Sequence, residues 1–390
     1  MQPIAELAAL LRPAGGGLYL VSAGRAEQAA LQRRLYGAGS DEEVRASFQA
    51  ALARVAGARA VILGVPSDVG AGFLRGANQG PQAIRAALLE DGPLPDGVVD
   101  VGDVFVVPQL LHDSMLSEAQ KAATRRAIYA DLPPAEAARL PVSPLSMAER
   151  ALDLIFALNP RARPVVLGGD HSTAWPAVAA LARVRPARWG IVQIDAHTDL
   201  LAERLGVTYC FGTWSYHANE LVGRGGRLVQ VGIRQSRHDR AHWEATLGVR
   251  QLWADECRAR PAEAIDAVVA HLRAAGVDAV YFSNDIDGTD AAHADATGTP
   301  EPGGLAPDFV VELIRRLGRD LGLCGGDVME VAPALARTPG GAERTTRLAA
   351  RYLRETLAAV LLRSCSCPFP GRKRDLPAIS TRCAPGPVPD

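Results

Sequence analysis

Apolar residues recur along the chain in two rhythms, and the alternation between them outlines a fold. Short continuous apolar runs predict buried strands at 60–65, 98–101, 164–168, 189–195, 227–233, 249–254, 278–284 and 322–329. Between them, apolar positions at helical spacing predict helices at 117–129, 146–158, 174–184, 261–275, 307–320 and 341–362. Another helix over 82–88 follows Pro81, whose missing N–H and fixed φ suit a first helical position. Strands alternating with helices argue for an α/β fold, a parallel sheet with helices on both faces. Two stretches, Ser40–Glu43 and Ser146–Glu149, have capping-box spacing and are expected to open helices. After the first, Val44, Phe48, Leu52 and Val55 would form one apolar face. The run Leu18–Val21 reads as a strand or a packed loop.

Composition sets bounds around this pattern. The chain has 390 residues, 48% of them hydrophobic, enough for one large domain or two medium ones. With no internal repeat and no second core after a linker, one domain is the better reading. We expect an N-terminal helical extension at 1–58 that packs on the domain or on a neighbouring subunit, a catalytic domain at 59–363, and a disordered tail at 364–390. A net charge of −1 gives no electrostatic footprint for nucleic acid. The first residues lack the basic and apolar regions of a signal peptide, and no apolar run would span a bilayer, so a cytoplasmic protein is expected. Cys210, Cys257 and Cys324 read as reduced thiols, and the Cys365-Ser366-Cys367 pair with Cys383 is a weak metal signal.

The candidate chemistry lies where strands end. Gly168-Gly169-Asp170-His171-Ser172 follows one apolar run, Asp195-Ala196-His197-Thr198-Asp199 a second, and Asp285-Ile286-Asp287 a third. Open α/β sheets bind their ligands at such ends. Asp and Gly are common turn residues, and a lone Asp-x-Asp would be read as a turn. Three such pieces, each directly after a strand, are better explained as a metal site. His171, Asp195, His197, Asp199, Asp285 and Asp287 offer carboxylate and imidazole ligands for two divalent ions, and alternate spacing turns side chains the same way in extended backbone. Two such ions can hold a shared water and lower its pKa towards neutral.

These motifs resemble the signatures of the ureohydrolase (arginase/agmatinase) family. So do Ser283 through Asp290, Thr297 through Leu305, Arg75-Gly76-Ala77 with Gly80-Pro81, and Asp327 through Pro333. The resemblance runs from about residue 59 to about 362. It implies a three-layer αβα fold with an eight-stranded parallel sheet and two metal ions, usually manganese. It implies that His171, Asp195, Asp199 and Asp285 hold one ion and Asp195, His197, Asp285 and Asp287 the other, with Asp199 also orienting the attacking hydroxide. Glu330 would accept hydrogen bonds from a guanidinium, a planar cation that a carboxylate holds well. Attack at the guanidinium carbon would release urea and an amine or ammonia. Family members form trimers or hexamers, so a homo-oligomer acting on a small guanidino substrate is expected.

One departure matters. Most ureohydrolases have His-Gly-Thr after the second motif, and that His shuttles a proton to the leaving amine. Here the matching residues are Phe211-Gly212-Thr213, and Phe carries no proton. His217 and Cys210 are the nearest candidates to replace it. Trp175, Tyr209, Phe211, Trp214 and Tyr216 crowd the same region, and Trp175, Phe211 and Trp214 are expected to touch the substrate, narrowing the pocket and stacking on a flat cation. A narrow site would suit a small guanidino compound, free guanidine being the extreme. The long extension is shared with the guanidine-hydrolase branch, which resembles agmatinases and uses nickel. The alternatives are a formiminoglutamate hydrolase of the same family, a non-catalytic or regulatory relative, and a single-zinc deacetylase of the same fold.

Overall fold

The computed structural model describes residues 1–20, 23–185 and 188–362. Its centre is a sheet of nine strands: β1 (Leu11–Arg12), β2 (Ala60–Val65), β3 (Val98–Val104), β4 (Arg163–Gly168), β5 (Trp189–Ile194), β6 (Leu228–Ile233), β7 (Arg250–Trp253), β8 (Ala279–Asn284) and β9 (Leu323–Val328). Their order is β1-β3-β2-β4-β9-β8-β5-β6-β7. The expected eight parallel strands are β2 to β9, and β1 adds a short antiparallel edge through Leu11↔Val104 and Arg12↔Asp103.

Each strand alternates its side chains between two cores. In β2, Val61, Leu63 and Val65 pack on one face, and Ala60 and Ile62 on the other. The first face is covered by the helices Pro3–Leu10, Asp41–Arg54, Pro144–Leu158 and Trp175–Val184, the second by Gly80–Leu88, Pro261–Ala274, Pro307–Asp320 and Gly341–Leu362. This is the three-layer arrangement expected for continuous apolar strands. Among the described residues no helix is long and apolar enough to cross a membrane.

Two helix starts differ in detail from expectation. Ser40 caps its helix by accepting from Glu43 N, but the Glu43 carboxylate accepts from Gly39 N. The helix expected to open at Ser146 opens at Pro144, with Ser143 as an N-cap that makes no side-chain bond. Ser146 Oγ instead accepts from Asp113 N at 3.0 Å, tying the helix to the preceding loop. The extension packs on the domain through Leu7, Leu10, Phe48 and Leu52, all in the core of the first face. Leu18 forms an isolated bridge to Val106. The expected tail at 364–390, with Cys365, Cys367 and Cys383, lies outside the described residues.

Candidate active site

Parallel strands deliver their carboxyl ends to one edge of the sheet. His171 follows β4, Asp195, His197 and Asp199 follow β5, Asp285 and Asp287 follow β8, and Glu330 follows β9. These strands are consecutive in space as β4-β9-β8-β5, so residues far apart in sequence converge on one point. Gly169 lets the loops close up: a Cβ there would lie 1.7 Å from Ser67 O.

All six expected metal ligands come together. His171 Nδ1 lies 3.1 Å from Asp195 Oδ2, 3.0 Å from Asp285 Oδ2 and 3.4 Å from Asp199 Oδ2. His197 Nδ1 lies 3.1 Å from Asp287 Oδ2 and 3.6 Å from Asp195 Oδ1. The donor atoms thus form two groups, His171–Asp195–Asp285 and Asp195–His197–Asp287, each within 4.8 Å and sharing Asp195. His171 Nδ1 is buried and has no hydrogen-bond partner, although it faces three carboxylates. A lone pair held this way among hard oxygen donors fits a divalent cation.

Other residues aim these donors. His171 Nε2 lies 3.0 Å from Ser283 Oγ, which donates to Asp327 at 2.9 Å. Such a partner fixes ring orientation and leaves Nδ1 able to take a metal ion. Asp195 Oδ2 accepts from Gln193 Nε2 at 2.7 Å, and Oδ1 accepts from His197 N at 2.7 Å. Gln193 Oε1 accepts from Gln230 Nε2, and Gln230 Oε1 from Gln251 Nε2, both at 2.8 Å. The three glutamines are in register across β5, β6 and β7 and form a buried ladder ending on Asp195. Sequence analysis missed it, although a Gln at matched positions in three apolar strands is a readable signal. Asp287 accepts from Ala196 N and Thr299 Oγ1.

Asp199 and Glu330 are non-glycine residues at positive φ, 51° and 61°. Such backbone costs on the order of 1–3 kcal/mol and persists where surroundings over-determine it. Asp199 Oδ2 accepts from Trp214 Nε1 at 3.1 Å, and Glu330 Oε1 from His171 N at 2.9 Å. Burial, reinforced by neighbouring carboxylates, pushes Asp199, Asp285 and Glu330 well above the usual carboxyl range. Burial alone would lower both imidazoles and raise Asp195. The mutual attraction of these groups outweighs it, raising His171 and His197 and lowering Asp195. The cluster therefore holds more buried negative charge than its own cations balance, which is the condition a bound metal relieves.

The aromatic residues divide differently from expectation. Trp214 is fully buried beneath the cluster, stacked on His171 at 4.4 Å between ring centroids, so it holds ligands and presents no face to a substrate. Trp175 stacks on Tyr209 at 4.8 Å and is not among the residues that line the cavity beside Phe211. His217 joins that aromatic group, and its Nε2 lies 3.0 Å from the carbonyls of both Ala202 and Thr208. Burial lowers its pKa below the ordinary value. Of the five aromatics only Phe211 borders the cavity, a space of about 470 Å³ that also includes Cys210, whose thiol burial pushes up.

A three-layer αβα fold with an acidic, histidine-containing cluster at adjacent strand ends has the form of an α/β enzyme able to hold metal ions at that edge. A sequence model described as the arginase family matches residues 58–359. The chain belongs to that family, the ureohydrolases, which depend on a binuclear metal centre and cleave C–N bonds of amidines. It is 30% identical over 314 residues to a guanidinobutyrase of Pseudomonas aeruginosa, covering 77% of this chain and 86% of the relative. It is 32% identical over 295 residues to a mitochondrial agmatinase of Gallus gallus, covering 71% and 75%. Among solved structures it resembles proclavaminate amidino hydrolase of Streptomyces clavuligerus, with a TM-score of 0.61 and 30% identity over 78% of this chain and 92% of that one.

Proposed function

We propose that the protein hydrolyses a guanidino compound, releasing urea and an amine or ammonia, with two divalent ions held by His171, Asp195, His197, Asp199, Asp285 and Asp287. The observation that carries this reading is the pair of donor groups sharing Asp195, with His171 Nδ1 orphaned among carboxylates. Two groups, not one, set it apart from a single-zinc deacetylase. When bound, the ions would supply a water acidic enough to lose its proton near neutral pH. Glu330 is the acceptor for the guanidinium, its backbone strained to face the cluster. Asp199, held by Trp214 Nε1, orients the attacking water and accepts its proton.

Relatives named guanidinobutyrase, agmatinase and guanidino acid hydrolase support a guanidino substrate. A very small substrate has less support, because of the five aromatics beside the second motif only Phe211 lines the cavity. Manganese is the expected metal and nickel the alternative. A cytoplasmic homo-oligomer, trimeric or hexameric, belongs to the same reading. The test is urea release from guanidine, agmatine, arginine and 4-guanidinobutanoate, side by side with manganese and with nickel. Urea from at least one of them is expected, and none from any guanidino compound under either metal would defeat the proposal.

A further inference from the structure

Arg204 occupies an unusual place in the cavity over Phe211. The lining is otherwise uncharged and mostly apolar, with Phe73, Leu111, Met115 and Leu205 among its walls. The Arg204 guanidinium carbon lies 5.2 Å from the centroid of the Phe211 ring. Among the described residues its guanidinium makes no ion pair and no hydrogen bond, so its donors remain available. Hydrogen bonds tie the cavity's lining to the metal-ligand loops. Phe211 N donates to Gly70 O at 3.1 Å, and Gly70 N donates to Asp170 Oδ2 at 3.0 Å, one residue before His171.

The ligand cluster and the neighbouring cavity therefore differ in charge. The cluster concentrates carboxylates, which suit a cation such as guanidinium. The cavity offers a planar cation with free donors beside an aromatic face and apolar walls. That combination favours a carboxylate, which a guanidinium binds through paired, charge-assisted hydrogen bonds. A substrate cationic at both ends would bring its second charge against Arg204. Phe211 then has a use of its own at the position where a proton-carrying His was expected: it supports the Arg204 guanidinium from below.

We propose that Arg204, seated on Phe211, anchors a carboxylate at the far end of the substrate, so that the enzyme acts on guanidino acids in preference to guanidino amines. This rests on the hydrolase reading above. The apolar lining of the cavity suits a short methylene chain, and the carboxylate needs no chemistry, only binding.

The experiment is urea release by the metal-loaded full chain from three probes of similar length: 4-guanidinobutanoate, butylguanidine and agmatine. The wild type is expected to give its highest kcat/KM with 4-guanidinobutanoate. Arg204→Ala should lower the ratio of kcat/KM for 4-guanidinobutanoate to that for butylguanidine by about tenfold or more, chiefly through KM. Arg204→Lys should recover part of that loss, and Arg204→Glu should turn preference towards agmatine. An unmoved ratio in Arg204→Ala, or a wild type that prefers agmatine, overturns the proposal while leaving guanidino hydrolysis standing. No urea from any guanidino compound overturns the hydrolase reading and this one with it.

Discussion

Asp199 and Glu330 sit on backbone that ordinary residues avoid, and each is held there by a specific donor. For Asp199 the donor is Trp214, whose ring also stacks on His171. One buried side chain thus touches a proposed proton acceptor and a proposed ligand at once. Trp214→Phe keeps an aromatic face for His171 and removes only the N–H. A hydrogen bond to a charged group contributes about 1.5–3 kcal/mol, so kcat should fall roughly tenfold to hundredfold if the bond matters in the transition state. Bound metal should stay at the wild-type level. Steady-state kinetics with metal analysis on the same samples checks this, and an unchanged kcat would remove Trp214 from the account. The candidate ligands were legible in the sequence, because their residue types and alternate spacing carry the chemistry. Trp214's position was not, because whether an aromatic lines a pocket or lies under it depends on how distant segments stack.

At the scale of elements, strands do the positioning. The buried strands were readable because they are apolar on both faces. The helix Arg25–Tyr36 was not, and the reason is physical: it buries no residue fully, so its sequence shows no core-facing stripe. The edge strand β1 spans only Leu11–Arg12, too short for any period to show. The helix Trp214–Leu221 was not among the elements predicted from the sequence. The glutamine ladder is an element-scale device, since it needs β5, β6 and β7 in register. Gln193→Leu removes the donor to Asp195 Oδ2 and leaves its ladder partners unmatched. Loss of such an outer contact should weaken metal binding about tenfold to hundredfold. Competition with a chelator measures this, and wild-type affinity in the variant would show that the ladder serves the sheet alone.

For the whole molecule, the N-terminal extension is tied to the domain by buried charge as well as by apolar packing. Arg85 pairs with Asp100 at 2.7 Å and with Asp103, and Asp103 Oδ2 accepts from Gly15 N at 2.7 Å. Burial alone would lower the Arg85 guanidinium, and the two carboxylates more than offset it. Asp103→Ala leaves Arg85 with one partner and frees the chain at Gly15. Breaking a buried pair from one side costs about 3–5 kcal/mol. Chemical denaturation should show a loss of that order, and limited proteolysis should cut earlier near residue 15. A variant as stable as wild type would mean that apolar packing alone holds the extension. None of this network was read from the sequence, because Arg85, Asp100 and Asp103 are individually ordinary residues whose pairing exists only once the helix Gly80–Leu88, β3 and the extension meet.

Two donor groups sharing Asp195 are proposed to hold the two ions that hydrolysis requires. This is tested most directly by counting divalent metal per chain in active enzyme and in Asp285→Ala, with urea release measured on the same preparations. About two ions per chain are expected in active enzyme, with loss of urea release on chelation, recovery on re-addition of manganese or nickel, and loss of both metal and turnover in Asp285→Ala. Full turnover in the chelated protein, or in Asp285→Ala, would contradict this.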